Sequence, residues 1–251
     1  MNGNSILLCR VRGIPIKASP TLLIMLPILA LLYFGENILF GLYILLGVFA
    51  SIAAHELGHS FAAMRYGCHV QEIELGILGG AAKLSHIPDR PREEIIMALA
   101  GPAVSLALGL LGVWSASPLL YPIGAINLLL FGFNLLPCFP MDGGRVLRAA
   151  LVPKKGKLEA TRRAVQIGKF FCLFFVVFGL AQGHIFLALI GGFIYFAGKR
   201  ELMMVVMEHQ ANRYSGFREG HVDVEVSPPP YASGNNGGES IVDQLKRMFR
   251  K

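Results

Sequence analysis

The chain has 251 residues, of which 54% are hydrophobic and only 16% are charged. A soluble domain of this size carries about 25% charge, so the composition excludes an ordinary water-soluble enzyme and points to several membrane spans. The net charge of +7 does not imply a nucleic-acid partner. The basic residues fall in the N-terminus, in 65–92, in 145–169 and from 199 onward, whereas 35–37, 115–122 and 181–184 hold none. This one-sided pattern is the positive-inside asymmetry of a multi-pass membrane protein.

In chain order the apolar stretches predict six spans, at about 19–34, 38–66, 94–116, 119–137, 167–181 and 184–198. Ile14 and Ile16 are expected to lengthen the first. The last two are short against the roughly 17–25 residues of a usual span and are expected to end in the interfacial zone. An even number of spans places all basic loops and both termini on one side, the cytosolic face of a cell membrane.

The second span contains His55-Glu56-Leu57-Gly58-His59. A charged side chain at membrane depth costs roughly 2.5–3.5 kcal/mol on insertion scales, so three polar groups within five residues need a partner. Histidines four apart project from one helix face and can share a zinc ion. Glu56 stands beside the first of them, where it can act on a water activated by the metal.

Between the second and third spans, the run from Leu75 to Lys83 is too rich in glycine for a stable helix. It predicts extended chain or a hairpin with its bend at Gly79-Gly80. Non-helical backbone at membrane depth must be buried in protein or line a wet cavity. The fourth span runs into Asn134-Leu-Leu-Pro137-Cys-Phe-Pro140-Met-Asp142-Gly143-Gly144-Arg145. The prolines interrupt the helix and let Asp142 turn toward a metal. Two histidines and one carboxylate leave a fourth zinc position open, the pattern of a catalytic site. Blander readings stand beside these: Asp142 as a helix cap, Asn134 as an amide bonding carbonyls freed by Pro137, and Gly79-Gly80 as a plain turn.

The four cysteines form no close pair, so neither a disulfide nor a cysteine metal site is expected. Residues 1–200 form the expected membrane domain and 201–226 a polar cytosolic extension. Residues 227–238 (SPPPYASGNNGG) read as a flexible linker. Residues 239–251 read as an amphipathic tail helix suited to a membrane surface or a regulatory partner.

HELGH in the second of six spans, followed by N-x-x-P-x-x-P-x-D-G-G-R at the end of the fourth, resembles the site-2 protease family of intramembrane zinc metalloproteases. Ala100-Gly101-Pro102 and Gly79-Gly80-x-Ala82 are similar to family elements too. The resemblance covers roughly residues 5–200, in a compact form without PDZ or CBS domains. It implies an all-α polytopic fold of six transmembrane helices, with a re-entrant, Gly-rich, β-like segment between the second and third. It also implies one Zn2+ per chain held by His55, His59 and Asp142, with Glu56 as general base and acid. Asn134 would help hold the substrate or the oxyanion, and Gly79 and Gly80 would engage an unwound substrate. The implied substrate is a single-span membrane protein in the lipid bilayer. The competing readings are a zinc-binding transporter, which has no use for an acid–base glutamate beside a ligand, and a catalytically inactive relative.

Overall fold

The computed structural model describes residues 5–77, 79–85 and 90–219, with side chains described to residue 211. The expected linker at 227–238, the tail helix at 239–251 and most of the loop around His86 lie outside the described residues. Contacts divide the chain into Met1–Gln210 and Ala211–Lys251. Of the second unit only helical backbone, as far as Glu219, is described.

The chain opens on a hairpin, not on a helix. Strand β1 (Ile6–Val11) turns at Arg12 and Gly13, both with positive φ (48° and 87°), into β2 (Ile14–Ala18). Two positive φ values at a two-residue bend match the twist of antiparallel strands. Ile14, Ile16 and Ala18 alternate inward with period two. Ile14 and Ile16 therefore belong to a strand and do not lengthen the first span.

β2 pairs in parallel with β3 (Val70–Gly76), and β3 pairs antiparallel with β4 (Gly79–Leu84), giving a sheet in the order β1-β2-β3-β4. The all-α expectation is thus corrected: the fold is mostly helical with a small four-stranded sheet. Alternate residues of β2 and β3 (Ile14, Ile16, Ile73, Leu75) pack with Leu22 and Leu26 of the first helix. The opposite side of the sheet carries Glu72, bridged to Lys17 and, at 2.6 Å, to Lys83.

Helix α1 (Pro20–Phe34) starts at Ser19, whose Oγ accepts the Leu22 N–H at 3.2 Å, with proline in the first turn where no N–H is needed. A short 3₁₀ turn, Gly35–Asn37, leads into α2 (Ile38–Arg65). Then follow α3 (Pro91–Trp114), α4 (Leu120–Asn134), α5 (Asp142–Ala181) and α6 (Ile185–Glu219). α5 is two helices joined at a kink, where Gly156 has φ 74° and ψ 161°. α6 runs through the expected boundary at residue 200.

Among the described residues, three stretches are long and apolar enough to cross a membrane: Pro20–Arg65, Pro91–Trp114 and Asp142–Ala181. α4 is apolar but has only 15 residues. The large side chains of these helices point outward, with Trp114 88%, Leu39 80% and Phe170 75% exposed. An apolar exterior of this extent fits lipid, not water. The helices meet through small residues. A Cβ at Gly58 would stand 2.7 Å from the Ala100 carbonyl oxygen of α3, and one at Gly112 would stand 2.6 Å from Gly124 of α4. Close backbone approach at small residues is how helices associate where lipid removes the hydrophobic drive.

Candidate active site

The close α2–α3 packing decides where the two histidines point. Met97, Gly101 and Ser105 stand four apart along α3 and share one face. The Met97 carbonyl accepts a hydrogen bond from His59 Nδ1 at 2.7 Å, and Ser105 Oγ lies 2.8 Å from His55 Nδ1. Between them a Cβ at Gly101 would strike both imidazole Nε2 atoms. Glycine there lets the two rings nest against the helix, so Gly101 is more than the packing notch that its place before Pro102 suggests.

The third group arrives from a break in the chain. α4 ends at Asn134 and α5 begins at Asp142, as the two prolines lead one to expect. The connecting chain folds back on the start of α5. A Cβ at Gly143 would strike the Leu135 and Leu136 carbonyl oxygens, and one at Gly144 the Cys138 backbone. Asp142 is buried, with Oδ2 at 3.2 Å from the Nε2 of both His55 and His59. The two Nε2 atoms are 3.1 Å apart.

This triangle tests whether a metal fits. A carbonyl can only accept, so the proton of His59 sits on Nδ1 and its Nε2 presents a lone pair. A second imidazole nitrogen and a carboxylate oxygen face it, all within 4.8 Å. With His55 in the same tautomer, its Nδ1–H donated to Ser105 Oγ, three acceptor atoms face one another in a buried site, and a cation among them removes their repulsion. Zinc–ligand bonds of about 2.0–2.1 Å at tetrahedral angles separate ligand atoms by about 3.3 Å, close to the spacing found. Met97 and Ser105 supply the outer partners that fix the rings of metal-binding histidines. Among the described residues this is the one such group of histidine, cysteine and acidic side chains. His69 and His184 are exposed and do not line the site.

The triad opens on a cavity of about 490 Å³. Glu56, Asn134, Arg145, Phe193 and Gly79 to Ala82 line it together with His55, His59 and Asp142. Glu56 makes no hydrogen bond or ion pair with any described residue. Arg145 Nη1 stands 3.9 Å from Asp142 Oδ1, so the carboxylate turns one oxygen to the histidines and the other to an arginine. Asn134 Nδ2 donates to the Leu130 carbonyl at 3.0 Å, one turn back on its own helix. The carbonyl of Phe133, which Pro137 would have freed, instead accepts the Leu136 N–H.

Gly79 and Gly80 are not the bend. They open β4, pairing with Gly76 and Leu75, and the chain turns before them. A Cβ at Gly80 would lie 2.8 Å from Glu56 Cγ and 2.9 Å from Ile52 Cγ2. The glycine is required because the strand lies directly on α2 over Glu56.

The family model described as Peptidase family M50 matches residues 43–117 and 112–175, which include both histidines, Glu56 and Asp142. The chain belongs to peptidase family M50. It is 38% identical over 213 residues to a protein named zinc metalloprotease from Methanocaldococcus jannaschii, a match covering 81% of this chain and 62% of that one. The chain therefore spans less than two thirds of that relative's length. A solved structure titled Site-2 Protease from Methanocaldococcus jannaschii is similar at a TM-score of 0.63 and 38% identity. That match covers 79% of this chain and 95% of the solved one.

The sequence motifs do not point to Met97 or Ser105, and they include Arg145 without giving it a role. The 97–101–105 spacing across Gly101 is the signal that could have found the first two. Arg145 stands inside the aspartate motif, three residues from Asp142, and the distance between them gives it a place at the site.

Proposed function

We propose that the chain is an intramembrane zinc endopeptidase that hydrolyses a peptide bond within or near the transmembrane segment of a membrane-tethered protein. The observation that carries this is one cavity lined by the His55, His59 and Asp142 group, by Glu56, which has no hydrogen-bond or ion-pair partner among the described residues, and by the outer strand of a sheet. M50 membership and the zinc metalloprotease name of the relative support the same chemistry. Neither favours a transporter or an inactive form.

His55, His59 and Asp142 would hold the zinc. When bound, the metal polarises the scissile carbonyl and brings the pKa of water down to about 7. Glu56 takes the proton of the attacking water and delivers it to the leaving nitrogen. Arg145, 3.9 Å from Asp142 Oδ1, balances part of its charge. β4 has a partner on one side only within the sheet, so its free edge can pair with an unwound substrate backbone. Gly79 and Gly80 bring that edge to Glu56, and Asn134 reaches the substrate from the α4 wall.

This reading includes six spans in the cell membrane, with the 70–84 hairpin entering from the cytosolic side and both termini cytosolic. The substrate is a single-span protein, and residues 239–251 are the place for a regulatory partner. The test is cleavage of a reporter membrane peptide by the purified protein and by Glu56→Gln, with zinc measured in both. Cleavage by the wild type and not by the variant, at equal zinc, is expected. Equal cleavage by both would reject Glu56 as the base.

A further inference from the structure

A second buried polar cluster lies outside the cavity and has no part in the chemistry just described. Arg148, 3% exposed, is on α5 six residues after Asp142. Its Nε and Nη2 donate to Glu94 Oε1 of α3, and its Nη1 donates to Glu201 Oε1 of α6 at 2.6 Å. The guanidinium also stands over the Phe139 ring, 5.3 Å from its centroid. Phe139 is itself buried, packed by Ala164 and Val165 of α5 and Leu202 of α6.

The two ends of this cluster meet the two halves of the metal site. Glu94 is one turn before Met97 on α3, the helix whose Met97 carbonyl and Ser105 hydroxyl hold the histidine rings. Phe139 is three residues before Asp142, in the folded-back chain that delivers the aspartate. Only a planar fork can bond two carboxylates and cover a ring at once. A buried ion cluster is also a poor source of stability, because desolvation offsets most of its attraction. Its service here is geometric.

We infer that Arg148, with Glu94 and Glu201, is a positioning clamp that sets Asp142 against the two histidines. The inference rests on the reading that these three groups hold the metal. The clamp fixes α5 against α3, and Phe139 passes that constraint to Asp142. Through Glu201 it makes α6 part of the site's frame. Loosening it leaves all three ligands present but misplaced.

The test uses the full-length protein in detergent, with zinc affinity measured by chelator competition and geometry read from the visible spectrum of the cobalt(II)-substituted protein. Arg148→Lys keeps the charge and loses the fork. Glu94→Met/Arg148→Met removes the more buried pair together, a replacement that commonly preserves folding, and leaves Glu201, the more exposed of the two acids at 27%, without its arginine. Both variants should bind metal about tenfold or more weakly, the usual cost of losing an outer-shell partner, and their cobalt bands should differ from the wild type's. Thermal unfolding of the metal-free protein identifies which variants are folded. Wild-type affinity and spectrum in the folded double variant would overturn the clamp. A wild type that takes up no equivalent of metal would overturn the ligand set, and the clamp with it.

Discussion

Two buried polar clusters in this chain resolve the same cost in opposite ways. Around Arg148 each charge has a partner of opposite sign, and the cluster is closed. Around His55, His59 and Asp142 two ring nitrogens and a carboxylate oxygen converge, and Glu56 beside them has no hydrogen-bond or ion-pair partner among the described residues. A closed cluster specifies geometry, whereas an open one marks chemistry, because buried polar groups left unsatisfied are costly unless a ligand completes them. The largest effect should come from emptying the open cluster. The His55→Ala/His59→Ala variant should lose nearly all of about one equivalent of zinc per chain, together with all cleavage, while Arg148→Lys keeps measurable metal. Unchanged zinc in the double histidine variant would end the distinction between the clusters.

Glu56 is the member of the open region with no hydrogen-bond or ion-pair partner among the described residues. Glu56→Gln should keep zinc at the wild-type level and lower turnover by about 10²–10⁴-fold, the usual contribution of a general acid–base group. A fall in zinc content would make Glu56 a ligand instead of a base.

Gly101 tests how tightly the open cluster is built. Gly101→Ala places a methyl group against both Nε2 atoms. The helix around it has no reason to break, since alanine is the better helix former. Metal affinity should fall at least tenfold with little change in the thermal stability of the metal-free protein. The outcome that sinks the packing argument is a stable variant with wild-type affinity. Gly80→Val should act less directly. It pushes β4 away from Ile52 and Glu56, so cleavage falls while zinc stays in place.

What could be read from the sequence follows from the range of the interactions involved. HELGH needs only one helical turn to bring His55 and His59 together, and the break before Asp142 is written in Pro137 and Pro140. Those features are local, and the structure places the three groups 3.1–3.2 Å from one another. The first four apolar runs likewise mark helices to within about three residues, whereas α5 begins 25 residues before the expected 167 and α6 ends 21 residues after the expected 198, because polar helical turns extend both. The first hairpin was not legible because its alternation, Ile14-Pro-Ile16-Lys-Ala18, runs directly into the apolar stretch of α1. The antiparallel pairing of β2 with β1 is local, but β2 is also paired in parallel with β3, more than fifty residues away, and that second pairing leaves no trace in the sequence pattern. Gly79-Gly80 looked like a bend because two glycines are the commonest local signal for one. Their actual reason is contact with α2, which no local pattern records. The Arg148 cluster joins residues 94, 148 and 201, and separations of that size leave no trace in spacing.

The smallest predicted effect concerns Ser105, which borders the open cluster and is fully buried. Its hydroxyl is the partner of His55 Nδ1 at 2.8 Å. For Nε2 to face a metal with its lone pair, Nδ1 must carry the proton, and Ser105 Oγ is the atom placed to accept it. Ser105→Ala removes that acceptor, frees the ring to rotate, and makes the other tautomer less costly. The loss should be about tenfold in zinc affinity, the low end for an outer-shell partner of a metal-binding histidine. His59 keeps its bond to the Met97 carbonyl in this variant, so binding is weakened and not abolished. Chelator competition on wild type and Ser105→Ala measures it. Equal affinities would show that the close helix packing alone orients His55 and that the hydroxyl only fills space.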